Sequence, residues 1–532
     1  MRGLTWIIGR TDRDPVIKAV LYLTWLLLFV WISVHHAVWR DEVRAFSIAL
    51  AGDNIVEMLR GLHGEGHPAL WYLLLRGAHT IFPVREVLPV VSGLIAAAAM
   101  AVLLIRSPFR PWFLALILFS RFGLIEYAVI ARNYGMSMLV MFVLAWLYPR
   151  WRDRGVTIGL LLALLCNTNV PSAMLAAAFL LFWLVELVGE EGLKWGPKYR
   201  LFVINAAIAA LGALLCFATV FPTVHDAAVN PHPGGIGPGL VLQSLLAPAL
   251  SFGDMIPVLI PDSPIAAAAF GIVMFAALLG LAAKPAALLS AGVALFGLEL
   301  FFNIIYPSYY RHQALFLVYL IVMYWLVANG RGGEWRQPRE AGQARRSSLD
   351  GLAIGSAALC LLVIMQVVSS ARLASFELGP TYPYSRSRDL AELLRRERLT
   401  DAVIIANPDY FLEPLSYYLP NPTYLMREHR FGRVVMFKRD VRAELDLDDY
   451  LRDGHELQAA TGRPVVILLQ KRLDPNTRAF RILDVHYWHF NGTPEQVHRF
   501  LASTRRLARF QQSISFESYD VYLLNPAAKP GA

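Results

Sequence analysis

Four short stretches of this sequence hold residue types suited to chemistry. Trp39-Arg40-Asp41-Glu42 sets two adjacent carboxylates where an apolar block ends. Acids at such a boundary are costly unless solvated, paired or used. The plain reading is a solvated helix end, and the chemical one is a base. His67-Pro68-Ala69-Leu70-Trp71-Tyr72-Leu73-Leu74-Leu75 follows Gly61, Gly64 and Gly66, so a flexible turn leads into an aromatic, apolar segment. Its plain reading is a buried piece without catalytic meaning. Glu126-Tyr127-Ala128-Val129-Ile130-Ala131-Arg132-Asn133-Tyr134-Gly135 brings an acid, an arginine and tyrosines close together; the plain reading of Arg132 is a salt bridge with Glu126, which is compatible with a chemical role. Tyr306-Pro307-Ser308-Tyr309-Tyr310-Arg311-His312-Gln313 joins Arg311 and His312 to three tyrosines. Arginine matches phosphate geometry and tyrosine suits a membrane interface. The alternative for Arg311 is an anchor that snorkels to lipid headgroups.

The elements that must position these residues are membrane spans. The chain has 532 residues, 56% hydrophobic and 17% charged, against about 25% charged in a soluble domain. Mean hydropathy is +0.46. The apolar residues fall in blocks of roughly 17–25, the length that crosses a bilayer as helix. Blocks at about 17–38, 86–105, 111–125, 134–149, 155–168, 172–189, 201–221, 263–283, 286–305, 313–329 and 351–370 give about eleven spans. The first has no small-residue cleavage site and reads as a retained helix. Net charge is +9, but Lys and Arg sit mostly in alternate loops, as the positive-inside rule asks. That pattern needs no nucleic acid partner. It puts the N-terminus inside and the C-terminal part outside. The three cysteines, Cys166, Cys216 and Cys360, all lie in apolar blocks, so neither a disulfide framework nor a cysteine zinc site is expected.

The first outer loop, 39–85, is long for a simple connection. Its segment 68–82 is too short to span and reads as a helix lying at the interface. Its Arg40, Arg44, Arg60, Arg76 and Arg85 have acids among them. From about 371 the composition becomes that of a soluble α/β domain. Ser387–Leu399 reads as an amphipathic helix. Ala402–Ala406, Arg433–Phe437 and Val465–Leu469 read as strands. Thr493-Pro494-Glu495-Gln496 is a helix start. A tail from about 526 reads as disordered. The chain thus divides into a transmembrane domain, 1–370, and an outer domain, 371–532.

The Asp-Glu pair after the first span, the His-Pro segment about 25 residues later and the Glu126–Gly135 stretch together resemble the GT-C superfamily of membrane glycosyltransferases. They are most similar to the branch of protein O-mannosyltransferases, aminoarabinose transferases and lipopolysaccharide-modifying relatives. The resemblance covers residues 20–140 by motif and later spans by hydropathy. Ala69 stands where the family commonly has a second proline. The resemblance implies a GT-C-like polytopic α-helical membrane protein with a C-terminal α/β extracytoplasmic domain. It implies a polyprenyl-phosphate sugar donor and transfer, with inversion, to a lipid, glycan or protein acceptor at the outer face of a bacterial inner membrane. Asp41 would be the base. Glu42 would orient it or hold an acceptor or metal, and Glu126 would be the second acid. Arg132, Tyr134, Arg311 and His312 would bind the donor phosphate, and His67 and Tyr72 the substrate. A divalent cation, if one is used, would fall to Asp41 and Glu126.

Other features are set aside. His35 and His36 end the first span and read as interfacial. His225, Asp226 and His232 lie in a Gly/Pro-rich loop, 222–262, which is either a lid or a long connection. Asp484, His486 and Trp488 alternate as on a strand but lack a further ligand. Two other function classes remain: a transporter or flippase of a lipid-linked sugar, which needs charge deep in the spans, and a non-catalytic scaffold.

Overall fold

The computed structural model describes residues 7–8, 15–62, 65–221, 237–257, 260, 262–329, 342–379, 381–484 and 488–526, with backbone only at 342–350. His225, Asp226, His232, His486, Arg331, Arg336, Arg339 and most of the tail lie outside the described residues. Helix α1 (Pro15–His35) leads into the first loop, which folds as α2 (Arg40–Ala49), α3 (Ile55–Arg60) and α4 (Leu70–Ile81). Then come α5 (Val87–Arg106), α6 (Pro111–Leu118), a π-helical segment Arg121–Val129, α7 (Tyr134–Trp151), α8 (Thr157–Cys166), α9 (Val170–Glu191) and α10 (Pro197–Val220). After these run α11 (Pro238–Leu246), α12 (Pro248–Phe252), α13 (Pro264–Leu279), α14 (Pro285–Ile304), α15 (Tyr310–Ala328) and α16 (Gly342–Glu377).

Among the described residues, seven helices are long and apolar enough to cross a membrane, or eight if the bent pair of α6 and Arg121–Val129 is one span. Helices α7, α8 and α13 fall where spans are expected but are too short or not apolar enough to qualify alone. The chain is therefore a multi-pass membrane protein, and length and hydropathy support seven or eight spans among the described residues, against about eleven expected. The last helix runs to Glu377, past the boundary expected at 370.

The Glu126–Asn133 stretch differs from the polar break expected of it. Helix continues through Glu126 to Val129, bent 43° from α6. The bend is made by Ser120, whose Oγ accepts from Gly123 N at 3.0 Å. A Cβ on Gly123 would lie 2.2 Å from Ile117 O, so only glycine permits this approach. Every residue from Phe122 to Val129 is buried, so Glu126 faces protein rather than water.

Helix α15 is the core of the bundle. Every residue from His312 to Val327 is buried, as expected of a helix that is apolar all round. Its first turn is therefore a fixed place from which to present Arg311. Ile8 pairs with Phe109 as an isolated bridge, so the described start of the chain sits beside the α5–α6 turn. The other end of α1 meets the end of α16. There the buried His36 has Nε2 at 2.9 Å from Glu42 and Nδ1 at 3.0 Å from Glu377. Serving both carboxylates takes a donor at each ring nitrogen, which is the charged imidazolium.

The C-terminal domain stands at this end. It holds α17 (Ser387–Arg396), β1 (Val403–Asn407), α18 (Leu415–Tyr418), β2 (Tyr424–Leu425), β3 (Arg430–Phe431), β4 (Glu444–Asp446), α19 (Leu447–Thr461), β5 (Val465–Leu469), β6 (Phe480–Leu483), β7 (His489–Gly492), α20 (Pro494–Ser503), β8 (Thr504–Arg509) and β9 (Asp520–Leu524). The main sheet has order β1-β5-β9-β8, with β1 and β5 parallel and the other pairs antiparallel. A second sheet has order β4-β7-β6. Thr493 caps α20 in a capping box with Gln496, as expected.

Two strand expectations fail. Arg433–Phe437 is irregular because its backbone serves side chains instead: Val435 N donates to Glu413 at 2.9 Å and Val435 O accepts from Arg44 at 2.7 Å. Asp484 and Trp488 do not alternate along a strand but lie at the ends of the β6–β7 connection, joined by Asp484 N donating to Trp488 O at 2.8 Å.

His36 ties three segments of the bundle together. Replacing it by alanine leaves two buried carboxylates facing each other, and His36→Ala should cost about 3–5 kcal/mol. A thermal melt of the detergent-solubilised chain that is unchanged by the substitution would contradict this brace.

Candidate functional site

The site begins at the first turn of α2. Trp39 is extended (φ −113°, ψ 178°) and caps the helix. Glu42 closes the cap, accepting from Trp39 N at 3.1 Å. The same carboxylate takes His36 at 2.9 Å and Ala131 N at 2.6 Å, and it is fully buried. Glu42 is thus spent on fixing α2 against the end of α1 and the turn after the π segment. It faces inward, which leaves its neighbour Asp41 to face the site.

Asp41 is the centre. Its Oδ1 accepts from Arg40 Nε at 3.1 Å and its Oδ2 from Arg311 Nη2 at 2.8 Å. Arg132 donates through Nη1 to the Asp41 backbone carbonyl. Arg132 Nη2 lies 2.7 Å from His67 Nε2. Since guanidinium only donates, His67 must offer a bare Nε2 there. Burial, together with Arg132 and Arg311, holds the His67 pKa well below its ordinary value and keeps the ring neutral. Burial pushes the Asp41 pKa up, but Arg40, Arg311 and Arg132 outweigh it and hold Asp41 well below the usual carboxylate range. Three positive groups face Asp41, and Glu413 and Glu517 add negative charge beside Arg40. Two donors are left over as well: among the described residues, Arg132 Nε and Arg311 Nε are buried without a partner. A surplus of buried donors is what an acceptor-rich anion would satisfy.

Aromatic rings wall this centre. Arg311 lies over Trp39 at 5.3 Å and over Tyr309 at 5.2 Å, and Arg40 over Tyr410 at 4.6 Å. Tyr134 stacks on Tyr127 and stands edge-on to His67 and His312. Tyr127 also donates to the Arg311 carbonyl at 2.7 Å. His312 accepts from Tyr309 N at 3.0 Å and so caps α15, with its ring among Phe302, Tyr306 and Tyr309.

The expected residues therefore divide. Asp41, His67, Arg132, Tyr134 and Arg311 come together, and His312 packs behind them. Tyr72 does not join them directly. It donates to Glu65 at 3.3 Å, and Glu65 in turn holds Arg44 at 2.8 Å. The Glu126–Arg132 pair is absent; Glu126 accepts from Arg121 Nη2 at 2.7 Å instead, and Arg121 lies 3.7 Å from the Tyr310 ring. The sequence reading passed over Arg121, yet a charge alone in an apolar block is a signal of use or pairing. It also passed over Arg40 as a partner of Asp41, and over Tyr384, whose ring lies 5.4 Å from Trp39.

Asp41 and Glu126 do not suit a divalent cation. Each carboxylate is already faced by guanidinium, which repels a metal ion. Among the described residues no group of three or more His, Cys, Asp or Glu could hold one.

The C-terminal domain completes the enclosure. Glu517 accepts from Arg40 N at 2.8 Å and from Ser385. Glu413 accepts from Arg44. Tyr418 donates to Val38 O at 3.0 Å. Residues of α2, α4 and α5 share one hydrophobic core with β1, α17 and β9. Three of the first-loop arginines pair with carboxylates: Arg40 with Asp41, Arg44 with Glu65 and Glu413, and Arg85 with Glu86, while Arg76 donates to the backbone carbonyls of Ala49, Ala51 and Gly52.

Fold and site define a polytopic α-helical membrane protein with a C-terminal α/β domain and a buried, positively biased carboxylate–arginine centre. No protein-family model and no curated protein matches the chain. Two solved structures are similar to it. One is ArnT from Cupriavidus metallidurans in the apo state, at 13% identity and TM-score 0.47. The other is ArnT from the same organism bound to undecaprenyl phosphate, at 12% identity and TM-score 0.45. Each likeness covers 95% of this chain and 97% of the other. Likenesses of this depth say nothing of what individual residues do.

Burial pushes Glu517 up to about 7, against the opposing pull of Ser385 and Arg40. A raised folded value means that its contribution is full below the ordinary carboxylate range and is lost as pH rises through 7. The melting temperature should fall between pH 5 and 8, and Glu517→Gln should flatten that slope. An unaltered slope in the variant would remove Glu517 from the seam's titration.

Proposed function

We propose that this chain is a glycosyltransferase of GT-C type, moving a sugar from a polyprenyl-phosphate-linked donor to a hydroxyl of a lipid, glycan or protein acceptor. One observation carries the reading: Asp41 sits among Arg40, Arg132 and Arg311 with buried donors left unsatisfied. A phosphate leaving group needs cations where its charge develops, and an acceptor hydroxyl needs a base. Both needs meet at one carboxylate. The aromatic wall suits a donor whose head lies at the membrane interface.

In this reading the acceptor oxygen attacks the anomeric carbon while the bond to phosphate breaks. The hydroxyl proton passes to Asp41, and the charge of the departing polyprenyl phosphate falls on Arg311 and Arg132. A single displacement inverts the anomeric centre. Asp41 is a poor base while its arginines hold it. Donor phosphate competes for Arg311 and Arg132, and as they turn to it Asp41 regains basicity. Donor binding thus readies the base.

The sidedness follows from charge. The turns bearing Arg106 and Arg110, and Arg150, Arg152 and Arg154, belong on the inner side of a bacterial cytoplasmic membrane. The Asp41 centre and the C-terminal domain belong at the outer face, with the N-terminus inside.

The test uses purified full-length chain, a polyprenyl-phosphate hexose and a cell-envelope extract as the source of acceptor hydroxyls, following release of polyprenyl phosphate. Asp41→Asn should slow release by about 10²–10⁴-fold with the melting curve retained. Release at the wild-type rate would sink the assignment of Asp41 as the base, and no release by the wild-type chain would favour a scaffold.

A further inference from the structure

The C-terminal domain exposes a bulky apolar side chain on backbone that disfavours one. Phe516 has φ +62°, and it is 77% exposed. A left-handed conformation is uncommon for a bulky residue. Gln512, in the same turn, adopts it as well, at φ +57°. Such backbone persists only where its surroundings fix it, and here they do. Ser515 N donates to Tyr384 O at 2.9 Å, and Ile514 N to Pro383 O at 3.1 Å. Arg386 Nε donates to Gln511 O and Gln512 O, each at 3.1 Å, while its Nη2 donates to Thr381 O at 2.8 Å. The turn 511–518 is thus pinned to the segment 381–386, and the Phe516 ring is left facing outward.

A single exposed phenylalanine is ordinary on a protein surface. The place of this one sets it apart. Segment 381–386 comes just after α16, a membrane-spanning helix that ends at Glu377. In the last turns of α16, Arg372 lies over the Phe376 ring at 5.3 Å, and Phe376 meets the Tyr382 ring at 5.4 Å. Aromatic rings and an arginine at the end of a span belong to the headgroup layer. On the other side of the turn, Glu517 accepts from Arg40 N at 2.8 Å, just beyond the end of α1. Phe516 therefore stands beside the ends of two spans. Apolar side chains are exposed up to those ends: Val34 of α1 is 68% exposed, and Leu378, next after α16, is 42% exposed. Lipid covers that surface on the spans, and the Phe516 ring continues it onto the C-terminal domain.

We infer that Phe516 enters the boundary between headgroups and acyl chains, and that the turn 511–518 anchors the C-terminal domain in the bilayer. A turn that met only water would gain nothing from a ring held out on strained backbone. In the bilayer the ring leaves water, which is favourable. The anchor is independent of the glycosyltransferase reading, but it bears on the same seam. Glu517 follows Phe516 directly and fixes the entry of α2 through Arg40 N, so the lipid contact and the hold on α2 share one turn.

The anchor is tested on the full-length chain in phosphatidylcholine nanodiscs, one chain to a disc, which excludes contact with a second copy. The three native cysteines are buried, so a fluorophore on Phe516→Cys reports from that position alone. Lipid with brominated acyl chains should quench this label about twofold. The same lipid should quench a label on Val34→Cys at least as much, and leave unchanged one on Glu456→Cys, exposed on α19 of the C-terminal domain. A label at 516 that responds as little as the one at 456 overturns the inference. Amide exchange gives a second reading that needs no label. Phe516→Ser should speed exchange across 511–518 several-fold in nanodiscs, whereas Phe516→Trp, which keeps an interfacial ring, should not. Equal exchange in the two variants also overturns it.

Discussion

One carboxylate held by guanidinium groups from separate parts of the chain is the interaction on which this structure turns. Arg40, from α2 itself, and Arg311, from the first turn of the buried α15, bind the carboxylate, while Arg132, from the turn after the π segment, binds the Asp41 backbone carbonyl. Burying charge at a membrane boundary is unfavourable unless partners and geometry compensate. Here the compensation is lopsided. Glu413 and Glu517 help neutralise Arg40, but Asp41 answers both Arg311 and Arg132, and among the described residues each of those two keeps a buried Nε without a partner. A structure that only had to be stable would fill such a place with apolar side chains. The imbalance is what a negatively charged ligand would correct.

The surrounding framework exists to hold that imbalance in place. Glu42 takes no part in the cluster because its oxygens bind His36, Trp39 N and Ala131 N. This fixes the entry of α2 and the approach of Arg132 together. The bend at Gly123 brings the π segment, and the turn after it, to the same end of the bundle. The C-terminal domain closes the side of α2 through Glu517 and Glu413, each a buried carboxylate against the backbone or side chain of a first-loop arginine. Neither part carries the site alone.

Much of this was legible in the sequence, and the reasons for success and failure are physical. Hydropathy located the apolar helices because block length is a local property, yet α8 and α13 show that a block of the right composition need not form a helix long enough to span. The cluster of Asp41, His67, Arg132, Tyr134 and Arg311 was accessible because each stands at an end of an apolar block, where polar residues are conspicuous. Pairings were less accessible. Glu126 and Arg132 are near in sequence but sit on either side of the end of the π segment, so Arg121, one helical turn away on the same segment, takes the acid instead. The His36–Glu377 and Arg40–Glu517 contacts join residues far apart in the chain, and no periodicity announces them. Arg433–Phe437 has the composition of a strand, but its backbone is claimed by Glu413 and Arg44.

The most direct measurement is an experimental structure of the full-length chain with a polyprenyl phosphate bound. The phosphate should lie within hydrogen-bonding distance of Arg311 and Arg132, with the Arg311–Asp41 pair, now 2.8 Å, opened. A phosphate seated away from both arginines, or an Arg311–Asp41 pair left intact beside it, would contradict the proposal that donor binding frees Asp41 to act as the base.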